Sequence, residues 1–229
     1  ALDTWGEYLV GCTPDDGNLY EWQLNTASPA AIIANAPTNN TSLVVTEERF
    51  LFALGAGGNP RKVQWCDKED NTAWTPSATN EAGDILLQTS GEIVSGIRTR
   101  GETIILTTTD CHVARYSGPP FVFGFERAGD SCGIIGPKAS ASIDPGVVWM
   151  GTRGFHLYSG AAVQDLACDV SDYVFSSMNR DQISKVYAVV NSAWREVWWF
   201  YPSGDGIECD RYVAYDYAEN VWMTGNIDR

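Results

Sequence analysis

The sequence predicts an all-β chain, a five-bladed β-propeller with four antiparallel strands per blade. Three observations predict it. Runs rich in Val, Ile, Tyr, Phe, Trp and Thr alternate with period two, and Gly, Pro, Asp and Asn fill the gaps. These runs recur as a unit: a short strand, an apolar strand, a turn, and a strand ending in an aromatic residue. The units start about 40 to 50 residues apart, and five of them account for all 229 residues. One such sheet cannot bury both of its faces alone, whereas blades around an axis cover one another. A β-sandwich is the alternative architecture, but it would not need this period.

The blades are expected at residues 1–41, 42–91, 92–137, 138–184 and 185–229, together forming a single domain. In the first, strands at 2–5, 7–11 and 18–22 flank the turn Pro14-Asp15-Asp16-Gly17, and 31–34 adds a fourth. Asp-Gly pairs tolerate the positive φ of hairpin turns. The second blade reads as strands at 42–46, 50–55 and 62–65, with a Gly-rich turn at Gly55-Ala56-Gly57-Gly58. The third reads as 92–99, 103–106 and 112–118. Fourth strands are weakest in these two blades. The fourth blade reads as 138–143, 147–151, 155–160 and 164–168. A short turn of helix is expected at 170–178. The fifth blade reads as 185–191, 197–201, 212–217 and 221–225, with a Pro/Gly/Asp turn that includes Asp205-Gly206. Because each unit begins and ends with its own strand, no strand need be borrowed from another part of the chain. Tyr20, Trp22, Trp65, Tyr116, Trp149, Tyr158, Trp198 and Tyr215 close the second and third strands and are expected to fill the wedges between blades.

Composition narrows the function. Apolar residues make up 44% and charged residues 19%, which excludes a disordered chain or a coiled coil. Lys+Arg is 15 against Asp+Glu 29, a net charge of −14. Such a surface repels phosphate backbones and anionic headgroups, so neither sequence-specific nucleic acid nor a membrane is an expected partner. No run reaches the length of a membrane helix, and residues 1–5 lack the features of a signal peptide. The cysteines at 12, 66, 111, 132, 168 and 209 form no CxxC pair. They read as mostly buried small apolar residues rather than disulfides. The sequons at Asn39 and Asn40 would matter only in a eukaryotic secreted protein.

Several segments carry a more specific likeness: Asp70-Asn71-Thr72-Ala73-Trp74-Thr75, Tyr116-Ser117-Gly118-Pro119-Pro120-Phe121-Val122-Phe123, and Cys132-Gly133-Ile134-Ile135-Gly136-Pro137. Val148-Trp149-Met150-Gly151, Gly154-Phe155, Tyr158-Ser159-Gly160 and Tyr215-Asp216-Tyr217 with Trp222 complete the set. With these, nearly the whole chain resembles the packaged-DNA stabilisation and tail-nozzle propeller proteins of short-tailed phages. The resemblance implies a non-catalytic virion protein, assembled in the host cytoplasm, that helps close the tail conduit. Its implied partners are other phage tail proteins or further copies of itself in a ring. The chain is shorter than that pattern, without the arms and insertions of a nozzle subunit. An acidic conduit wall that lets the duplex slide is compatible with the net charge.

Two readings from other classes stand beside it. One is a hydrolase, metal-assisted or not, at the mouth of the propeller channel. His112 and His156 are the only histidines, and aligning the two Tyr-Ser-Gly triplets offsets them by two, which keeps both on the same face of adjacent blades. With Asp110 and Arg153 they are the candidate catalytic residues. The turns between second and third strands carry Asp15, Asp16, Asp110 and Asp205, where converging carboxylates could hold a divalent cation. The plainer reading is that turns use Asp for local hydrogen bonding. Asp3, Asp110 and Asp144 are the nearest match to glycosidase carboxylates on separate blades, without the flanking patterns. Asp15/Asp16 and Asp169/Asp172 read as turn or cap residues. No Gly-x-Ser-x-Gly elbow, phosphate loop or dinucleotide fingerprint occurs, so no organic cofactor is expected. The other reading is a glycan-binding propeller with a shallow aromatic site on each blade.

Overall fold

The computed structural model describes residues 1–227. Strand accounts for 47% of it and helix for 7%. Twenty strands form five separate four-stranded antiparallel sheets, the blade set of a five-bladed β-propeller. Each sheet is a simple meander of four consecutive strands. By packing, the chain divides into two compact units, Ala1–Arg127 and Ala128–Arg229.

The first unit holds the first blade, β1 (Leu2–Trp5), β2 (Tyr8–Cys12), β3 (Leu19–Trp22) and β4 (Ala31–Ile32). The second blade is β5 (Ser42–Val45), β6 (Leu51–Leu54), β7 (Lys62–Trp65) and β8 (Gly83–Leu86). The third is β9 (Ile93–Thr99), β10 (Glu102–Thr107), β11 (Asp110–Gly118) and β12 (Val122–Asp130), and the division between units falls inside β12. First strands adjoin, β1 against β5 and β5 against β9.

Every residue of β5 and β6 is buried, and their alternation explains why. Leu43, Val45, Leu51 and Ala53 point into a core with Trp5, Val10, Leu19 and Trp74 of the first and second blades. Val44, Phe52 and Leu54 point the other way, into a core with Phe50, Trp65, Ile105 and Phe123 of the second and third. Period-two patterning therefore feeds two cores from one strand, as a blade between two others requires. Each of the Leu, Val and Phe side chains among these contributes about 1.5–3 kcal/mol by burial. Aromatic contacts bind the second core: Phe52 and Phe123 lie edge to face at 4.8 Å, and Phe50 and Phe123 at 5.0 Å.

The second unit holds the fourth blade, β13 (Ser140–Ser142), β14 (Val147–Met150), β15 (Phe155–Tyr158) and β16 (Val163–Leu166). A short helix, α1 (Ser171–Ser177), and a 3-10 segment (Arg180–Lys185) lead to the fifth: β17 (Tyr187–Asn191), β18 (Glu196–Tyr201), β19 (Arg211–Asp216) and β20 (Val221–Asn226). Its core is built on tryptophans whose indole N–H groups all find carbonyls. Trp149 donates to Cys132, Trp199 to Ala139 and Trp222 to Ala167, at 2.7–2.9 Å. Phe155 packs 5.0 Å from Trp199 and 4.5 Å from Trp222.

The likeness-bearing segments prove to be folding devices. The Asp70 carboxylate accepts from the Thr72 amide and hydroxyl, tightening a turn. That turn lets Trp74 insert, almost fully buried, and donate to the Asn71 carbonyl at 2.6 Å. Residues 132–136 are buried throughout. Phe121, by contrast, is 81% exposed at the tip between β11 and β12.

Two expectations on strand bounds need correction. A strand does not begin at 185, because Lys185 closes the 3-10 segment and β17 begins at Tyr187. In the third blade the fourth strand is not weak: β12 is nine residues long. Its alternation is blurred by Glu126, Arg127 and Asp130, which an edge strand can carry on its solvated side. Trp65, Trp149, Tyr158 and Tyr215 are buried, whereas Tyr20, Trp22, Tyr116 and Trp198, expected to fill wedges too, are only half-buried.

Candidate functional site

Asp110 opens β11 and is almost fully buried. Its Oδ1 accepts from the Thr89 hydroxyl at 2.8 Å and from the Thr107 hydroxyl. Thr107 also takes the Asp110 amide at 2.9 Å, so the β10–β11 turn closes on itself. His112 lies two residues on, equally buried, with Nε2 3.3 Å from Asp110 Oδ1. Arg127 approaches Oδ2 to 4.0 Å. The carboxylate is thus enclosed by hydroxyls, imidazole and guanidinium. This arrangement fixes a turn rather than presenting an acid–base pair to solvent.

His156 lies on β15 opposite Trp149 and Asp165, and belongs to the second unit, whereas His112 belongs to the first. Its Nδ1 is 2.7 Å from the Asp165 carboxylate, on which it donates. Burial holds the imidazole below its ordinary pKa, outweighing the upward pull of Asp165. Nε2 faces Gly151, where an added Cβ would meet it at 2.6 Å.

The remaining candidates are turn residues. Asp16 accepts from the Thr13 hydroxyl (2.6 Å), the Tyr20 phenol (2.5 Å) and the Asn18 amide (2.9 Å). These hydrogen bonds hold its carboxyl far below the usual carboxylate range. Asp15, Arg153 and Asp205 are exposed in their turns, as is Asp144. Asp3 is a staple between blades: Oδ2 accepts from the Val45 amide at 2.8 Å. Asp172 sits in the first turn of α1, where its charge suits the helix end, and Asp169 lies just before it. Among the described residues, no group of three or more His, Cys, Asp or Glu is placed to hold a metal ion. No described helix is long and apolar enough to cross a membrane. The cysteines form no disulfide, five are buried, and burial pushes the Cys66 thiol up to about 12 and Cys168 to about 11.

The feature that sequence reasoning missed is an apolar sheet face of the first blade that the core of its own unit leaves uncovered. Pairing in the first blade places Leu2, Gly11, Tyr20 and Ile32 in one cross-strand row and Thr4, Leu9 and Trp22 in the next. Both rows face away from the core shared with the second blade. Leu2 is 81% and Ile32 58% exposed. With the loop at 25–30, this face forms an apolar groove of about 1020 Å³. The fifth blade carries a comparable face. There Tyr187 stacks on Phe200 at 4.9 Å and Trp198 on Tyr212 at 4.5 Å, half-buried, beside exposed Val189. Alternation in both blades is apolar on both faces, a signal present in the sequence. It reads as ordinary blade packing until the burial is known.

No protein-family model and no curated protein sequence matches the chain. Solved structures do. The dihydro-heme d1 dehydrogenase NirN in complex with DHE matches at TM-score 0.59 and 12% identity, over 100% of this chain and 47% of that one. A fungal alcohol oxidase in complex with copper matches at TM-score 0.59 and 14% identity, over 97% and 51%. The N-terminal domain of Nup159 matches at TM-score 0.56 and 6% identity, over 96% and 58%. The chain spans about half the length of these structures. The likeness is one of fold alone, since an oxidase, a dehydrogenase and the Nup159 domain match at 6–14% identity.

Proposed function

We propose that this chain is a structural propeller of a phage virion, working at the tail or head-closure conduit through protein–protein contacts. The observation that carries the contact role is the uncovered apolar face of the first blade, with Leu2 and Ile32 at its surface and a groove behind them. Exposed apolar surface of this kind costs free energy until something covers it. The phage setting rests on the resemblance of residues 70–75, 116–123, 132–137, 148–151, 154–155, 158–160 and 215–217 with Trp222. Further support comes from what the hydrolase candidates do in the fold: Asp110 and His112 are walled in, and Asp16 is consumed by its own turn.

The test is light scattering over a broad concentration range, on the native chain and on Leu2→Glu/Ile32→Glu. We expect the native chain to self-associate, or to form a stable complex with a tail protein of its phage, and the double variant to do neither. A native chain that stays monomeric and ignores those tail proteins, or a variant that assembles just as well, would overturn the contact role. Antibody labelling of purified particles tests the virion setting: unlabelled tails would defeat it.

A further inference from the structure

The chain has four lysines, at 62, 68, 138 and 185, and two of them line a single cleft of the second unit. We propose that this cleft binds a small organic anion through carboxylate or phosphate oxygens. It measures about 690 Å³ and is lined by Lys138, Ser140, Ser184, Lys185, Tyr187, Ala188, Glu208 and Cys209. That is room for a metabolite-sized molecule.

The backbone around the cleft is fixed. The Lys138 carbonyl accepts from the Ala188 amide at 2.8 Å, and a parallel bridge joins Lys138 to Tyr187. Lys185 is held at both ends. Its carbonyl accepts from the buried Cys209 thiol at 3.4 Å. Its Nζ donates to the Ile207 carbonyl and lies 3.3 Å from the Glu208 carboxylate. The loop carrying Glu208 is therefore clamped, and Glu208 is the cleft's one carboxylate. Tyr187 is oriented by stacking on Phe200.

Against this frame stand donors without acceptors. Lys138 Nζ and the hydroxyls of Ser140, Ser184 and Tyr187 make no hydrogen bond to a described residue. Two lysines and three hydroxyl-bearing residues thus line a cleft whose one carboxylate is already engaged by Lys185. An anion supplies what the cleft lacks, several acceptor oxygens and a negative charge. The contrast with the chain as a whole sharpens the point, since its net charge of −14 discourages anions.

Isothermal titration calorimetry decides the matter, with citrate and inorganic phosphate as separate probes at low ionic strength. We expect saturable one-site binding of at least one probe, weakened at least about tenfold in Lys138→Gln. Lys62→Gln, in the first unit, should leave the affinity unchanged. Citrate without phosphate assigns the cleft to carboxylates, and the reverse assigns it to phosphate esters. Ser184→Ala, an exposed position, gives a second reading should Lys138→Gln fold poorly, and it should also weaken binding. No saturable binding of either probe overturns the proposal, as does equal binding by the native chain and a folded Lys138→Gln.

Discussion

Asp110 shows how little a residue's chemistry says about its use until its neighbours are known. A carboxylate two residues from a histidine invites an acid–base reading. Yet two threonine hydroxyls donate to the group, and one of them also accepts from the Asp110 amide. Asp110→Ala removes the carboxylate that accepts from the Thr89 and Thr107 hydroxyls in a buried site. We expect a loss of about 1–3 kcal/mol in urea unfolding, and a variant as stable as the native chain would contradict the structural role. His156 makes a pH-dependent prediction. Its folded pKa is depressed, so the unfolded chain takes up the proton more readily. Its contribution to stability is complete above the ordinary histidine pKa of about 6.5 and is lost as pH falls below it. Urea midpoints measured from neutral to mildly acid pH should therefore fall more steeply for the native chain than for His156→Gln. Parallel curves would count against this assignment.

At the scale of elements, strand existence was legible and strand limits less so. β7 falls where alternation and Trp65 put it, and α1 lies within the expected helical turn. These segments announce themselves because apolar side chains on one period have only one way to be buried. β8 and β12 do not, since fourth strands lie at sheet edges and need only backbone pairing and one covered face. Site residues were less legible still. Asp3, Asp16 and Asp110 owe their roles to hydrogen bonds across turns or between blades, which no spacing in the sequence encodes. Close approach of first strands has its own signature. An added Cβ at Gly96 of β9 would meet Val44 at 2.7 Å and Leu54 at 2.9 Å. Gly96→Val should destabilise the first unit by about 1–3 kcal/mol through overpacking, read by thermal or urea unfolding. A neutral effect would mean that β5 and β9 are less tightly apposed than described.

For the whole molecule, burial separates residues that hold the fold from those that present a surface. Trp199, fully buried and hydrogen-bonded to Ala139, should cost about 3–5 kcal/mol when replaced by Ala. Leu2→Glu and Phe121→Ser alter side chains that are each 81% exposed. Their effect on stability should stay within about 0.5 kcal/mol. Unfolding measurements on all three variants check this division, and a large loss at Leu2 would show that the first blade's outer face is already covered in the isolated chain. The five-unit period was the strongest statement in the sequence because a repeat is counted many times over, while a binding face appears once.

The meander order of every sheet has one last consequence. Each blade is encoded by an uninterrupted stretch of the gene, and no sheet waits for a distant part of the polypeptide to complete it. Duplicating or deleting one such stretch would change the number of modules and leave the pairing within every other module untouched. It would also let each sheet assemble on the ribosome soon after its fourth strand emerges.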